Sequence, residues 1–308
     1  LTLAALSSMH KAVVAEMGMS ALGEISQLTR IACPDVAVIT NIGTAHLEAL
    51  GSRENICKAK LEIIEGLGDN GVLVYNGDEP LLWNKRKEFN KAISYGISNP
   101  DVQARGANVR TADGKTVFDI IFENKEIKDV IIPTLGAHNV YNALAAYVVG
   151  TVGGLSESEI KAGLANYRPT GMRQKIYEKN GYTVIEDCYN ASPESMKASL
   201  SVLAQLGKGH RTVAVLGEMR ELGESSDALH KSVGQYAAEL SIDRIYTYGD
   251  SAMEIAVGAL ENGIDESAII AYTQTDDPKG LADILEKELK MGDIVLFKAS
   301  RAVALEKV

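Results

Sequence analysis

Three residues near the start of the sequence could bind one metal ion: Glu16, His46 and Lys60. Glu16 follows an apolar run over residues 12–15, and His46 lies just past a second run over residues 36–39. Each therefore sits where a strand is expected to give way to a loop, which is the edge of an open α/β sheet at which ligands bind. An ordinary surface role is the alternative for both, because lone polar residues at such places are common.

Lys60 is the least ordinary of the three. A helix predicted over residues 53–67 places position 60 within an apolar stripe, which is made up of Ile56, Ile63, Ile64 and Leu67. An ammonium in such a stripe is unfavourable unless it is neutralised or paired, whereas Lys58 points the other way. Either Lys60 reaches the surface or a neighbouring carboxylate, or it serves an active site, in plain or modified form.

Two asparagines stand three residues apart near the start of a strongly helical stretch, AHNVYNALAAYVVG. Asn139 and Asn142 therefore share a face near the positive end of the helix dipole. Two carboxamides side by side can read the edge of a purine. The alternative is that they cap the helix.

Polar loops follow the predicted strands of the second half of the chain. In a doubly wound α/β domain, the loops at the carboxyl ends of the strands carry the ligand contacts. Side chains of both charges on one edge suit a zwitterion or a nucleotide, and solvated loop charges are the alternative. The candidates are Asp187, Asn190, Glu218, Arg220, Glu221, Lys298, Ser300 and Arg301.

Apolar runs that alternate with helical patterns position these residues. In the first half, strands are predicted over residues 12–16, 36–42, 71–76 and 91–96, and helices over 53–67, 80–90 and 156–167 and from residue 137. Residues 102–132 alternate polar and apolar side chains between turn signals, which predicts antiparallel hairpins beside a largely parallel sheet. In the second half, strands are predicted over residues 183–186, 212–216, 244–248, 268–272 and 294–298, and helices over 195–206, 226–240, 251–262 and 277–289.

The prediction is therefore an α/β protein of two domains, divided at the turn-rich stretch 168–171. Residues 1–170 form a central domain with a mostly parallel sheet and an antiparallel hairpin region. Residues 171–308 form a Rossmann-like doubly wound domain.

Composition limits the classes of function. At 308 residues and 46% hydrophobic content, the chain can bury the cores of two domains. A soluble protein is expected, because no apolar run approaches the roughly 20 residues of a membrane span and no signal peptide opens the chain. Three widely spaced cysteines favour a reducing cytoplasm. A net charge of -10 with scattered basic residues argues against a nucleic-acid partner.

Several common catalytic motifs do not occur in the 308 residues. There is no GxxxxGK[ST] phosphate loop, no GxGxxG, no nucleophile elbow and no HExxH. If the protein uses ATP, its main phosphate cradle is not in this sequence. The first residue is Leu1, inside an apolar segment, and we expect the sequence to be a piece of something longer.

Taken together, the motifs resemble those of the Mur ligases, the ATP-dependent amide-bond-forming family of peptidoglycan synthesis. The resemblance covers essentially the whole chain and is to the form that adds D-alanyl-D-alanine to UDP-N-acetylmuramoyl-tripeptide. It is carried by EMGMSALGEISQLTRIACPDVAVITNIGTAHLEALGS, GAHNVYNALAA, RPTGMRQ, DCYNASPESMKASL, LGEMRELGE and KASR. It implies an N-terminally truncated, ATPase-type central domain over residues 1–170 and the family's C-terminal domain over residues 171–308. KASR departs from the more usual KGSR.

The resemblance also implies roles for the candidate residues. Glu16 and His46 match the family's magnesium ligands. Lys60 matches a lysine that is carbamylated in many of these ligases and helps to hold magnesium at the γ-phosphate. Asn139 and Asn142 match the pair near the adenine. The remaining implied contacts are Arg173 and Asp187 near the nucleotide and, near the dipeptide, Asn190, residues 218–221 and residues 298–301.

The implied function is an ADP-forming ligase that uses ATP and Mg²⁺ and joins D-alanyl-D-alanine to the tripeptide through an acyl phosphate. It would act as a monomer in the cytoplasm, in cell wall biogenesis and thereby in cell shape, cell cycle and cell division. The family's UDP-sugar domain and P-loop would precede Leu1, so the 308 residues alone are expected to be inactive. A catalytically silent binding module and a sister ligase that adds a single amino acid are the alternatives.

Overall fold

The computed structural model describes residues 3–273 and 278–308, which form two β-sheets with helices packed on them. The strands of the first sheet are β1 (Val36–Ile39), β2 (Val72–Asn76), β3 (Ala92–Gly96), β4 (Ala104–Ala112), β5 (Lys115–Phe122) and β6 (Lys125–Ile132). They lie side by side in sequence order. Strands β1 to β4 are parallel, and β4, β5 and β6 are antiparallel. The predicted hairpin region beside a parallel sheet is therefore confirmed.

Helices cover both faces of the first sheet. They are α1 (Glu24–Ala32), α2 (Leu47–Leu50), α3 (Arg53–Leu61), α4 (Pro80–Trp83), α5 (Ala137–Val152) and α6 (Glu157–Ala165). Helix α5 buries Val140, Leu144 and Val148 on one face, and α1 to α4 cover the other face. Parallel strands covered on both sides explain why β1 and β2 read as continuous apolar runs.

The second sheet has the order β11-β10-β9-β12-β8-β7. Its strands are β7 (Lys175–Lys179), β8 (Tyr182–Glu186), β9 (Thr212–Gly217), β10 (Arg244–Tyr248), β11 (Ile269–Tyr272) and β12 (Ile294–Lys298). All pairs are parallel except β7 with β8, which form a hairpin. The helices are α7 (Pro193–Leu206), α8 (Ser226–Glu239), α9 (Met253–Glu261) and α10 (Pro278–Glu288). The doubly wound fold is therefore confirmed.

The strand order creates a crevice at the carboxyl end of β12. The crossovers from β8 to β11 all run in one direction, so right-handedness places α7, α8 and α9 on one face and α10 on the other. Strand β12 lies between β8 and β9, but the chain that follows it packs on the α10 face. Neighbouring loops that leave toward opposite faces open a cleft, which is where ligands bind in such sheets.

Several predicted elements need correction. Residues 12–16 are irregular and exposed, not a strand, so Glu16 does not end one. The helix predicted over 53–67 is α3 followed by a 3-10 segment, Glu62–Gly66, and the one predicted over 80–90 is the short α4 followed by a second 3-10 segment. Helices α1 and α2 and strand β7 were not predicted. Residue 277, the predicted start of the last helix, lies outside the described residues.

The two halves touch each other. Leu135, which precedes α5, is 1% exposed and packs in the core of the second sheet. The predicted division at residue 170 falls in the irregular stretch between α6 and β7 and stays a prediction. Within the part of the chain that the structure describes, no helix is both long and apolar enough to cross a membrane.

Candidate active site

Lys298 lies at the centre of the crevice. It ends β12 with its side chain only 2% exposed, and its Nζ donates to Asp187 Oδ2 at 2.7 Å and to the Asn190 carbonyl at 3.1 Å. A buried ammonium is stable only with such a counter-charge and hydrogen bonds. Asp187 and Asn190 follow β8, the neighbouring strand, so the structure brings these three predicted residues together.

Asp187 is bound from several elements. In addition to Lys298, its Oδ2 accepts from the Ser199 hydroxyl of α7 at 2.6 Å, and its Oδ1 accepts from the Gln174 backbone N–H at 3.2 Å. A carboxylate has about four acceptor sites, and these contacts fix the position of the Asp187 side chain at the end of β8. Gln174 and Ser199 were not among the predicted site residues.

The loop after β9 joins the same edge. Glu218 is buried, and its carboxylate lies 2.7 Å from Arg220 Nη2 and accepts from the Ser251 backbone N–H at 3.0 Å. The Glu218 carbonyl accepts from the Ser300 N–H, and the Ser300 hydroxyl accepts from the Arg220 N–H, both at 3.0 Å. Hydrogen bonds therefore connect the loop after β9 to the loop after β12, and both loops carry predicted site residues.

His230 of α8 binds the backbone of the loop that follows β9. No sequence pattern identified it as a site residue. Its Nδ1 lies 2.8 Å from the Ser226 carbonyl, which can only accept, so Nδ1 carries the proton. Its Nε2 then accepts from the Met219 N–H at 3.0 Å. Burial lowers the pKa of His230, although its hydrogen bond to Ser226 opposes that shift, and the neutral ring serves both bonds.

The two asparagines of α5 lie where the halves meet. Asn139 Nδ2 donates to the Leu135 carbonyl and to Gln174 Oε1, each at 2.8 Å. Asn142 Nδ2 lies 3.4 Å from Asn139 Oδ1. The alternative that these asparagines cap the helix is wrong, because the N-cap is Gly136 and no side chain bonds to the first turn there. Asn142 is exposed, and the contacts above leave a second lone pair on Asn139 Oδ1 and a second N–H on Asn142 for a ligand.

His46 lies in the loop after β1 and contacts the second half of the molecule. Its backbone is left-handed, with φ of 63°, and its Nδ1 is 2.5 Å from Glu221 Oε2. The Glu221 carbonyl accepts from the Glu48 N–H at 3.1 Å. In the same loop, the Thr44 hydroxyl is 3.2 Å from each carboxylate oxygen of Glu194, in the first turn of α7. Two carboxylates of the second half thus hold this loop.

Lys60 is partly buried near the end of α3, while Lys58 is exposed, as the helical spacing predicts. Its Nζ donates to the Asn41 carbonyl at 2.9 Å. Burial lowers the pKa of Lys60, and the charges of Glu194 and Glu79 oppose that shift only in part. The expected conflict between the ammonium and its surroundings is therefore real.

Glu16 is exposed in the irregular segment before α1. The hydrogen bonds and ion pairs found in the described residues place neither His46 nor Lys60 against it. Across residues 3–273 and 278–308, no three His, Cys, Asp or Glu side chains cluster closely enough to hold a metal. The predicted set of Glu16, His46 and Lys60 stays a prediction.

Arginines line the open side of the crevice. The Arg173 guanidinium stacks over the Tyr189 ring with 4.2 Å to the centroid. Arg301 is 57% exposed and lies 2.8 Å from Glu306, and Arg220 is 60% exposed beside Glu218. Because Lys298 is fully engaged, a ligand of this crevice can reach the exposed Arg220 and Arg301 more readily than Lys298.

The fold and the site define an α/β protein with two six-stranded sheets, a polar crevice of both charges at the end of β12 and a pair of carboxamides where the two halves meet. A family model described as "Mur ligase middle domain" matches residues 1–150, and one described as "Mur ligase, glutamate ligase domain" matches residues 172–301. The chain belongs to the Mur ligase family.

Individual relatives agree with this assignment. The chain is 42% identical over 310 aligned positions to the UDP-N-acetylmuramoyl-tripeptide--D-alanyl-D-alanine ligase of Bacillus subtilis, covering 100% of this chain and 65% of the relative. It is 33% identical to the ligase of the same name from Escherichia coli, and the alignment covers 100% of this chain and 66% of that relative. The chain thus spans about 65% of the length of such relatives.

Solved structures give the same likeness. MurF from Acinetobacter baumannii superposes with a TM-score of 0.86 at 30% identity, covering 98% of this chain and 64% of that one. MurF ligase from Thermotoga maritima in complex with ADP superposes with a TM-score of 0.82 at 30% identity, covering 95% of this chain and 64% of that one.

Proposed function

We propose that this chain provides the nucleotide and acceptor sites of an ATP-dependent, ADP-forming ligase that joins D-alanyl-D-alanine to UDP-N-acetylmuramoyl-tripeptide. The observation that carries the proposal is the 42% identity, along the whole chain, to a ligase with that name. The structure agrees with it in two places, the carboxamide pair of α5 and the charged crevice at β12.

The proposed reaction has two steps. The terminal carboxylate of the tripeptide attacks the γ-phosphorus of ATP, which forms an acyl phosphate and releases ADP. The amine of the dipeptide then attacks the acyl carbon, loses a proton and expels phosphate to leave the amide. Positioning and charge stabilisation are what a protein contributes to such steps.

The residues divide this work by location. Asn139 and Asn142 bind the purine, and Arg173, which rests on Tyr189, contacts the nucleotide from the linker. In the crevice, Arg220 and Arg301 bind the carboxylate of the dipeptide. The remaining proposed contributors to the crevice are Asp187, Asn190, Glu218, Lys298 and Ser300.

Contacts between the two halves keep water from the acyl phosphate. Glu221 and Glu194 of the second half hold the loop that contains Thr44 and His46. These contacts keep the crevice against the first half. Exclusion of water protects an intermediate that would otherwise be hydrolysed.

Magnesium is implied by the family, and Glu16, His46 and Lys60 would hold it. Two of the three donor types fit, because a carboxylate and a carbamate supply the oxygen ligands that Mg²⁺ prefers, whereas His46 supplies a nitrogen. Only a neutral amine reacts with CO₂, and burial of Lys60 favours that form. Because no three His, Cys, Asp or Glu side chains of the described residues lie close enough to hold a metal, magnesium binding would depend on the carbamate or on phosphate oxygens of the nucleotide. When bound, the ion would neutralise the charge on the transferred phosphoryl group.

A second candidate function is ligand binding without turnover by residues 1–308 alone. It is favoured by the lack of a GxxxxGK[ST] loop among these residues. Calorimetry with ATP on residues 1–308 distinguishes a silent binding module from a nucleotide-binding ligase, because tight ATP binding contradicts a silent module.

A sister ligase that adds a single amino acid is the third candidate, and turnover with D-alanine in place of the dipeptide would support it. The monomeric state and the cytoplasmic location stay predictions.

An isotope experiment tests the proposed chemistry in the protein as its gene encodes it. Tripeptide substrate labelled with ¹⁸O in its terminal carboxylate is incubated with ATP and D-alanyl-D-alanine. We expect one ¹⁸O atom in the phosphate released per amide formed, since that oxygen bridges carbon and phosphorus in the acyl phosphate. Amide formation with unlabelled phosphate would rule out this intermediate.

A further inference from the structure

Gln174 joins the two halves of the molecule, and no sequence pattern assigns it a role. It lies between the linker and β7 in a left-handed conformation, with φ of 48°. Its backbone N–H binds Asp187 of the crevice at 3.2 Å, while its side chain reaches Asn139 and the Leu135 carbonyl of the first half. Gln174 therefore links the crevice to Asn139 and Asn142, the two asparagines proposed to bind the purine and called the purine pair below.

The Leu135 carbonyl determines how two amides are oriented. It accepts from Asn139 Nδ2 at 2.8 Å and from Gln174 Nε2 at 3.1 Å. A carbonyl cannot donate, so both side chains must direct their NH₂ groups toward it. Gln174 Oε1 is then left to accept the second Asn139 N–H, at 2.8 Å. Both N–H groups of Asn139 are occupied, whereas its Oδ1 accepts only from Asn142 Nδ2, at 3.4 Å, among the contacts of the described residues, and so has a second lone pair for a ligand.

We propose that Gln174 is a positioning residue that sets the selectivity for adenine. It does so by locking the Asn139 amide with its oxygen toward the purine. This rests on the proposed use of a nucleotide. Without Gln174, one Asn139 N–H would lose its partner and only the Leu135 carbonyl would hold the NH₂ group, so the amide would rotate more easily to present its nitrogen in place of its oxygen.

The outward pattern matches adenine and opposes a 6-oxopurine. Adenine offers a donor, the 6-amino group, next to the N7 acceptor. The oxygen of Asn139 accepts from that amino group, and the free N–H of Asn142 donates to the ring nitrogen. A 6-oxopurine places an acceptor against the Asn139 oxygen, which leaves two acceptors facing each other without a proton. A site built in this way discriminates strongly between hydrogen-bonding groups.

The experiment compares ADP with IDP, whose base carries oxygen at position 6 and no 2-amino group. Isothermal titration is carried out on the protein as its gene encodes it, with Gln174→Leu as the test variant. Leucine keeps the volume and removes both hydrogen-bonding atoms. Gln205→Leu is the matched control, because Gln205 also bridges the halves, through Thr111, but lies apart from the purine pair.

We expect the unaltered protein and the Gln205→Leu control to bind ADP about 10-fold more tightly than IDP or better, and Gln174→Leu to reduce that ratio to about 3 or less. A ratio near 1 in the unaltered protein, or a ratio that Gln174→Leu leaves intact, overturns the proposal while nucleotide use stands. Equal weakening of both ligands by Gln174→Leu also overturns it, since that is a structural effect alone. If the unaltered protein binds neither ADP nor IDP, the proposed function fails and the selectivity proposal fails with it.

Discussion

Burial makes Lys60 different from the exposed lysine one half-turn before it. Lys60 is partly buried and its pKa is lowered, so more of its amine is neutral near pH 7 than is the case for a surface lysine. Its Nζ nevertheless has a neighbour in the Asn41 carbonyl, which orients it toward the loop of His46. Those are the conditions under which a lysine can be carbamylated at a defined place.

We expect ¹³C-labelled bicarbonate to give a carbamate signal in the NMR spectrum of the protein. The signal should vanish in Lys60→Arg, because a guanidinium stays protonated and does not react with CO₂. Ligase activity of that variant should fall by about 100-fold or more. The control is Lys58→Arg, which alters the exposed neighbour and should keep both the signal and the activity. A carbamate signal that survives Lys60→Arg would contradict the assignment.

His230 makes the stability depend on pH. Its pKa in the folded protein is below the ordinary value of 6.5, mainly because it is buried. The unfolded chain therefore takes up its proton first as the pH falls. Stability from the neutral ring is complete above about pH 6.5 and is lost as the pH drops toward the folded-state pKa, by up to about 1.4 kcal/mol per pH unit.

Denaturant unfolding between pH 7.5 and pH 5 tests this dependence. His230→Gln is less stable at pH 7.5, but the difference from the unaltered protein should shrink as the pH falls. His10→Gln, at an exposed position, should follow the unaltered protein at every pH. Parallel curves for His230→Gln and the unaltered protein would show that the ring is not the group responsible.

At the scale of elements, a glycine pair sets how closely α8 and α9 approach. A Cβ on Gly234 would lie 1.9 Å from the Ile255 carbonyl oxygen, and one on Gly258 would lie 2.2 Å from the Lys231 carbonyl oxygen. Both obstacles are backbone atoms, which cannot move aside as a flexible side chain can. The two helices therefore pack backbone against backbone.

Alanine at these positions should have opposite effects from alanine at an open helical glycine. Gly234→Ala forces the helices apart and should lower the free energy of unfolding by about 1–3 kcal/mol. Gly163→Ala, in α6, meets no atom within 4 Å and should raise it by about 0.5–1 kcal/mol, because alanine favours the helix. Urea unfolding of both variants measures the two changes. A stabilised Gly234→Ala would mean that α8 and α9 separate at little cost.

The sequence was a good guide to elements whose residues are buried in a regular pattern. The strands of the parallel sheets were predicted to within a few residues, since covered faces require continuous apolar runs. Two exceptions have physical reasons. The run at 12–16 finds no strand to pair with and leaves Val14 92% exposed, and β7 is a polar edge strand whose residues are mostly exposed, so no run marks it.

The site was predictable as a set of positions but not as a set of contacts. Polar residues that follow buried strands identified both partners of the Lys298 and Asp187 pair, because strand ends meet at one edge. The partners are 111 residues apart, however, and only the strand order makes them neighbours. Gln174 ends the RPTGMRQ motif but had no predicted role, and His230 stands in none of the motifs, because their roles depend on the groups that packing brings to them.

At the scale of the whole molecule, exposed carboxylates hold the two halves together. Glu221 is 58% exposed where it meets His46, and Glu194 is exposed where it meets Thr44. Exposed contacts of this kind contribute about 1 kcal/mol or less each and are weakened by salt. Relative motion of the halves is therefore expected, with these contacts favouring the closed arrangement.

Removing both charges should open the molecule without unfolding either half. For the double variant Glu194→Gln, Glu221→Gln we expect a shift toward open forms of about 5-fold, the equivalent of about 1 kcal/mol. Small-angle X-ray scattering should show a larger radius of gyration than for the unaltered protein at low salt, and about 0.5 M NaCl should move the unaltered protein in the same direction. The charge-matched control is Glu239→Gln, Glu266→Gln, which alters two exposed carboxylates with no hydrogen bond or ion pair to the first half among the described residues. If both double variants scatter alike, the closed arrangement rests on the apolar contact of Leu135 and on Gln174, not on the carboxylates.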